Sequence, residues 1–163
     1  VALGTAMATY CAQNMGAGKP ERVREGYRAA YGIVAGFAVV ILLTVSLFGE
    51  GIVGAFMDTE SGGLAFETGY GYLSFIRFFF ICIGLKAITD GVLRGAGDVV
   101  VFTLANLVNL ALRVAGAFLL APMVGVAAVW YAVPIGWTVN YLISFVRYLT
   151  GQWSRKNLVT SKG

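Results

Sequence analysis

Long apolar stretches with almost no charge limit what this chain can fold into. Residues 123–146 form a run of 24 without a single charged side chain, and about 20 apolar residues suffice for a helix to cross a bilayer. Over all 163 residues, 58% are hydrophobic and 12% are charged, whereas a soluble domain has about 25% charged residues. The pattern excludes a water-soluble globular fold and predicts an all-α integral membrane protein.

One partial and four complete crossings account for most of the chain. The partial helix covers 1–15, and the full spans cover about 23–48, 68–93, 99–121 and 125–149. Pro122 is expected to end the third full span, because proline cannot donate a backbone hydrogen bond and its ring crowds the preceding turn. Residues 150–163 form a polar, basic tail. The chain starts without Met and without a signal-peptide pattern, so we expect its first helix to be the second half of a longer one.

Basic residues gather in three places. They are Lys19, Arg22, Arg24 and Arg28 in and after the first loop, Arg94 with Lys86 near the next turn, and Arg147, Arg155, Lys156 and Lys162 around the tail. If the spans alternate in direction, these places lie on one side of the membrane, and the opposite loops hold no Lys or Arg. The positive-inside rule then predicts a multi-pass protein of the inner or plasma membrane with a cytoplasmic C-terminus. The net charge of +4 is thereby explained without a nucleic-acid partner.

Residue types that carry catalysis or bind metals are scarce. There is no histidine, and Cys11 and Cys82 stand apart in apolar stretches, without a CxxC motif. Neither a zinc site nor a redox site is indicated, and no paired carboxylates are expected at membrane depth. We therefore predict no catalytic residue, no metal site, no resident cofactor and no enzymatic activity.

Polar side chains inside the spans are the candidate functional residues, because charge at bilayer depth is costly. Asn106, Asn109 and Arg113 recur at i, i+3 and i+7 and share a helix face. Arg77 is expected at a depth similar to Arg113. Both arginines are interpreted as cavity or gate residues, with a helix-bridging role as the structural alternative.

A second polar group lies on the span before them. Lys86, Asp90 and Arg94 are each four residues apart, the spacing at which side chains on a helix meet. This spacing predicts a ladder of three charges, serving as a gate, as a proton-linked group or as a structural bridge.

Aromatic side chains line one face of the last span. Trp130, Pro134, Trp137, Tyr141 and Phe145 fall on this face at helical spacing. The face is interpreted either as a wall for flat organic cations or as a lipid-contacting anchor. Trp137 and Tyr141 are included among the candidate cavity residues. Pro134 favours a kink.

Small residues form two ridges that are expected to pack against partner helices. They are Gly4, Ala8, Ala12 and Gly16 on the first helix, and Gly32 and Gly36 on the next.

Two turns carry the most specific signal. Residues 13–23 (QNMGAGKPERV) resemble the QNxGAGxxxRV turn of the MATE (multidrug and toxic compound extrusion) transporters, and residues 91–98 (GVLRGAGD) resemble their GxLRGxGD turn. Residues 147–153 (RYLTGQW) are similar to the exit of the final helix in that family. The matching turn residues are Gln13, Asn14, Gly16, Gly18, Leu93, Arg94, Gly95 and Gly97.

The resemblance implies a twelve-helix transporter of two lobes, of which this chain is a C-terminal fragment comprising the end of helix 8 and helices 9–12. It further implies exchange of Na⁺ or H⁺ for drugs or organic cations by alternating access, with the lipid bilayer and a missing N-terminal lobe as partners. Some family members carry an acidic residue in the middle of helix 10. Residues 81–84 (ICIG) lack one here, so no ion-ligand role is carried over. A flippase for lipid-linked oligosaccharides and a non-transporting membrane assembly subunit remain alternatives.

Overall fold

Six α-helices make up the computed structural model, which describes residues 2–56, 63–125 and 127–155. They are α1 (Ala2–Gly16), α2 (Pro20–Gly54), α3 (Gly63–Ile76), α4 (Phe80–Gly95), α5 (Val99–Val124) and α6 (Ala127–Leu149). Short 3-10 helices cover Arg77–Phe79 and Gln152–Arg155. The expected tail positions Lys156 and Lys162 lie outside the described residues.

The membrane class predicted from the sequence is confirmed. The described ranges contain four helical segments long and apolar enough to cross a membrane, namely Pro20–Gly54, Gly63–Gly95, Val99–Val124 and Ala127–Leu149. Large apolar side chains cover their outer surface, including Phe37 at 65% and Phe118 at 78% exposure. Such an apolar surface is typical of helices that face lipid, where each helix makes the hydrogen bonds of its backbone internally.

Helix α4 is the central element, in contact with α1, α2, α5 and α6. Glycines allow α1 to approach it closely. A Cβ placed at Gly91 would lie less than 3.0 Å from the Gly4 carbonyl oxygen, and one placed at Gly95 would clash in the same way with the Ala8 carbonyl oxygen. The predicted small-residue ridge on α1 is thus confirmed for Gly4 and Ala8, whereas its continuation at Ala12 and Gly16 is exposed.

The second predicted ridge, on α2, has no partner helix among the described residues, and its packing stays a prediction. Gly32 and Gly36 are exposed, and a Cβ at either would meet nothing within 4 Å. The opposite face of α2 is the buried one, and it includes Tyr27, Ala30 and Val34. Side chains bulkier than glycine therefore fill this interface.

One end of the bundle holds a contiguous buried cluster. Its members come from α1, α2, α4, the α4–α5 turn and the final 3-10 helix: Met7, Cys11, Val23, Tyr27, Ala30, Val34, Ile88, Val92, Leu93, Ala96 and Trp153. Trp153 is fully buried, and its indole Nε1 donates a hydrogen bond to the Tyr148 carbonyl oxygen at 2.9 Å. The final 3-10 helix is thereby packed into the same cluster as Val23 and Ala96, beside the α1–α2 and α4–α5 turns. We call this the basic end, because Arg24 and Arg28 line a cavity with Leu149 there and Arg147 pairs with Asp98 of the α4–α5 turn.

Two predictions about helix continuity are corrected. Helix α5 does not end at Pro122 but continues to Val124, where the Gly125 amide bonds to the Ala121 carbonyl oxygen at 2.9 Å. So close to the C-terminus of a helix, proline disrupts only the last turn. The span predicted as 68–93 is not one continuous α-helix, because the 3-10 helix Arg77–Phe79 separates α3 from α4. The helix around Pro134 is continuous over Ala127–Leu149.

The α1–α4 contact yields the first prediction. Gly91→Ala should destabilise the protein by about 1–3 kcal/mol, the usual cost of overpacking, because the new methyl group would press on a backbone oxygen that cannot rotate away. The measurement is thermal unfolding of the purified protein in detergent, followed by circular dichroism.

The matched control is Gly32→Ala. This exposed position on α2 has open space around it, and alanine is a better helix former than glycine by about 1 kcal/mol. The unfolding temperature of this variant should therefore equal or exceed that of the wild type. Equal changes of the unfolding temperature in the two variants would contradict the packing argument.

Candidate functional site

A buried carboxylate connects three helices near the basic end. Asp90 of α4 is 5% exposed. Its Oδ1 accepts a hydrogen bond from Ser144 Oγ of α6 at 2.7 Å. Its Oδ2 accepts one from Lys86 Nζ at 2.8 Å and a longer one from Asn106 Nδ2 of α5 at 3.4 Å. We call these four residues the Asp90 network.

Local geometry explains how the network forms. Lys86 and Asp90 are one helical turn apart, and their ion pair is largely shielded, with side-chain exposures of 15% and 8%. Lys86 Nζ also donates to Asn106 Oδ1 at 3.1 Å, while Asn106 Nδ2 donates to the Phe102 carbonyl oxygen at 2.8 Å. These contacts fix the orientation of the Asn106 amide, and the charge of Asp90 is both paired and hydrogen-bonded, as burial requires.

The predicted ladder of three charges forms only in part. Lys86 and Asp90 pair as expected, but Arg94 is exposed, and its Cζ lies 5.8 Å from the centre of the Phe102 ring. Asp90 points towards α5 and α6, where its oxygens are engaged by other donors. Arg94 instead forms a cation–π contact with the first turn of α5.

The predicted polar face of α5 divides between two environments. Asn106 joins the Asp90 network. Asn109 is buried, with 9% exposure. It packs against Gly136 of α6, where a Cβ in place of the glycine hydrogen would clash with Asn109 Oδ1. Arg113 is exposed, and the same Cβ would lie 2.8 Å from its Cγ. The stem of Arg113 therefore lies at the α5–α6 contact.

Arg77 lies apart from these residues. It begins the 3-10 helix between α3 and α4, and its Cζ is 4.9 Å from the centre of the Phe78 ring. Its Nε is buried and has no hydrogen-bond partner among the described residues. The structure thus brings Asn106, Lys86 and Asp90 together, but it places Arg77 and Arg113 in separate surroundings.

A chain of hydroxyl groups, which the sequence analysis missed, lies beside the network. Tyr27 of α2 bonds to Thr89 Oγ1 of α4 at 2.7 Å and to Tyr31 at 3.1 Å. Tyr31 bonds in turn to Tyr141 of α6 at 2.5 Å. Thr89 donates its one hydroxyl hydrogen to the Leu85 carbonyl oxygen. Each phenol must therefore donate towards Thr89, because each has one hydrogen to give.

The predicted aromatic face of α6 is not a single wall. Trp130 packs on α3, with ring centres 5.8 Å from Tyr72 and 6.4 Å from Phe75. Tyr141 stacks on Phe145 at 5.3 Å and belongs to the hydroxyl chain towards α2. Trp137 is half-buried between these two regions.

The two glycine-containing turns have the same backbone design. Gly18 and Gly97 have positive φ values of 69° and 74°. In each turn the following amide reaches back five residues, from Lys19 to the Asn14 carbonyl oxygen and from Asp98 to the Leu93 carbonyl oxygen, both at 2.8 Å. This is the Schellman ending of a helix, in which glycine takes the left-handed position.

The remaining motif residues of the turns are used differently. Gln13 and Gly16 are exposed in the first turn, whereas Leu93 and Gly95 are buried in the second. Asn14 donates from Nδ2 to the Tyr10 carbonyl oxygen at 2.8 Å. The second turn therefore packs within the core, while the first lies at the surface.

An ion pair joins the second turn to α6. Arg147 Nε lies 2.6 Å from Asp98 Oδ2, and the Asp98 side chain is 1% exposed. Arg147 also donates to Gln152 Oε1 of the last 3-10 helix. The sequence shows the two partners in separate motifs, and their contact depends on the tertiary fold.

Comparison with known proteins agrees with these features. A model of the MatE family matches residues 1–119. The chain is 28% identical over 163 residues to the probable multidrug resistance protein YpnP of Bacillus subtilis (strain 168), a match that covers 99% of this chain and 36% of that protein. No solved structure matches the chain.

The family match extends over nearly three quarters of the chain and includes both glycine turns and the Asp90 network except for Ser144. The four apolar helical segments are those expected of a membrane transporter. The chain therefore belongs to the MatE family, the multidrug and toxic compound extrusion transporters.

Proposed function

We propose that the intact protein is a secondary active efflux transporter that exchanges H⁺ or Na⁺ for drugs or organic cations. This chain would supply the end of helix 8 and helices 9–12 of its C-terminal lobe. The multidrug-resistance relative supports the proposal, and the chain spans 36% of that relative's length. An N-terminal lobe would complete the transport cavity. The gathering of basic residues supports an inner or plasma membrane location with the basic end in the cytoplasm.

The observation that carries the proposal is the Asp90 network. A transporter needs a group whose charge changes when it binds the coupling ion, and that group must contact elements that move. Asp90 is our candidate for this group, because its carboxylate bonds to side chains of α5 and α6 from a nearly buried position on α4. A change in its charge would alter contacts among three helices at once.

Of the two coupling ions, H⁺ is the one that this network could bind most directly. Asp90 pairs with Lys86, whose ammonium lies 2.8 Å away. Protonation of the carboxylate would remove the attraction for Lys86 and turn one acceptor oxygen into a donor. Lys86 retains Asn106 Oδ1 as a partner at 3.1 Å. The ion pair is thus an element with two arrangements that a coupling ion can bias.

Neighbouring amides support the sodium alternative. Asn109 Oδ1 and both polar atoms of the Asn140 side chain are buried without a hydrogen-bond partner among the described residues. Asn140 is fully buried and lies one turn before Ser144 on α6. Buried amides of this kind usually bind water or an ion, and carbonyl and carboxylate oxygens suit hard cations.

Asp90→Asn tests the coupling role. The amide has the shape of the carboxylate but no charge to exchange, so drug efflux by the full-length transporter should fall by about tenfold or more. The measurement is efflux of a fluorescent dye from cells across a range of external pH, with the membrane protein level determined in parallel. The residual activity should lose the pH dependence of the wild type.

Glu25→Gln is the matched control, because it removes a carboxylate from an exposed position on α2. It should leave dye efflux and its pH profile unchanged. If Asp90→Asn behaves like this control at equal protein level, the network is a structural bridge and has no coupling role.

Arg113 provides the observation that favours a second candidate function. It is an exposed residue of a membrane-spanning helix, and its guanidinium has no ion pair with the described carboxylates. Such a group suits the anionic pyrophosphate of a lipid-linked oligosaccharide. The alternative is therefore a flippase of the same superfamily.

Arg113→Gln separates the two functions. In a drug transporter whose cavity includes this side chain, the KM for dye efflux should change by about threefold or more. Lost export of wall precursors with unchanged dye efflux would indicate the flippase. Arg77→Gln removes the other membrane arginine for comparison, and unchanged transport in both variants would remove both residues from the cavity and the gate.

A further inference from the structure

We propose that the groove between α2 and α6 at the basic end binds the head group of an anionic phospholipid. The phosphate would lie against Arg24 and Arg28, and the glycerol and acyl chains would follow the aromatic and apolar lining. The proposal concerns a lipid site and does not depend on which substrate the protein transports.

The groove is a cavity of about 510 Å³, lined by Arg24, Tyr27, Arg28, Tyr31, Phe145, Tyr148 and Leu149. Its volume is within the range of about 300–1,000 Å³ that is usual for small-ligand sites. Arg24 and Arg28 are one turn apart on α2 and therefore present both guanidinium groups on the same side. Four aromatic rings form most of the remaining wall.

The positive charge of the groove is uncompensated. Within the described residues, the ion pairs are Lys86–Asp90 and Arg147–Asp98, and neither includes Arg24 or Arg28. Glu21 and Glu25, the nearest acids along α2, form no ion pair with them, and no carboxylate lines the cavity. Two unpaired guanidinium groups attract a phosphate, which each can bind with paired hydrogen bonds, and they repel an organic cation.

The aromatic wall is held in place before any ligand binds. The Tyr148 ring lies 4.0 Å from that of Tyr27 and stacks on buried Trp153 at 5.5 Å. The hydroxyl groups of Tyr27 and Tyr31 are engaged in the hydroxyl chain. The rings cannot collapse into the groove without breaking these contacts, and such preorganisation lowers the entropy cost of binding.

The position of the groove favours a lipid over a soluble anion. It lies between two membrane-spanning helices where their apolar segments meet the basic end, and Leu149 at its edge is 65% exposed. An occupant therefore meets positive charge at one end and apolar surface at the other. Basic pockets of this kind between membrane helices bind anionic lipid head groups.

Protection from chemical modification tests the proposal on the wild-type protein. The purified protein is placed in nanodiscs of phosphatidylglycerol or of phosphatidylcholine and treated with the arginine reagent phenylglyoxal, and modified peptides are quantified by mass spectrometry. Phosphatidylglycerol should slow modification of Arg24 and Arg28 by about tenfold. Exposed Arg22, on the same helix, should change far less and serves as the internal reference.

Two other occupants give different results. If inorganic phosphate in phosphatidylcholine nanodiscs protects equally well, the site takes a free anion and the lipid proposal is wrong. If both arginines resist the reagent already in phosphatidylcholine, protein covers the groove and the proposal is again wrong. Equal slowing at Arg22 would mean that the lipid surface charge acts on every arginine alike, and the assignment of a site to Arg24 and Arg28 would be wrong.

A pair of charge-matched variants provides a second measurement. Native mass spectrometry should show that Arg24→Gln/Arg28→Gln retains phosphatidylglycerol about tenfold more weakly than the wild type. The control Lys19→Gln/Arg22→Gln removes the same charge from exposed positions at the same end and should bind nearly as the wild type does. Equal retention by both variants would overturn the assignment of the head group to Arg24 and Arg28.

Discussion

Where α1 and α4 cross, the backbones of Gly4 and Gly91 come so near that no side chain fits between them. In lipid there is little hydrophobic force between helices, so their association depends on close packing and polar contacts. The glycine contact places α4 against α1 and leaves its other faces for α2, α5 and α6. With α4 fixed in this way, Asp90 and Thr89 face the helices that provide their partners.

The polar contacts are arranged around this packing, and each joins different helices. The Asp90 network links α4 to α5 and α6, the hydroxyl chain links α4 to α2 and α6, and the Arg147–Asp98 pair connects the second glycine turn to α6. In an apolar surrounding, a polar group without a partner is expensive. These contacts therefore fix the rotation of each helix about its axis, which apolar packing alone defines less well.

The features that could be predicted from the sequence are those determined within one helix or one turn. The length of the apolar runs predicted a membrane protein, and the spacing of Lys86 and Asp90 predicted their ion pair. Ser144 and Tyr27 could not be found in this way, because a lone hydroxyl in an apolar span acquires a role only when another helix presents a partner. The same limit applies at Gly32, where a packing motif was recognised but the face of α2 that packs against the described helices is the opposite one.

The one-way order of the hydroxyl chain has a consequence for how the helices respond to one another. Because Thr89 gives its hydrogen to the Leu85 carbonyl oxygen, the phenols of Tyr27, Tyr31 and Tyr141 are all oriented in the same sense. If one phenol alone reversed the direction in which it donates its hydrogen bond, two hydrogens or two lone pairs would face each other. The hydroxyl groups from Tyr141 on α6 to Thr89, the residue next to Asp90, can therefore change their orientation only together.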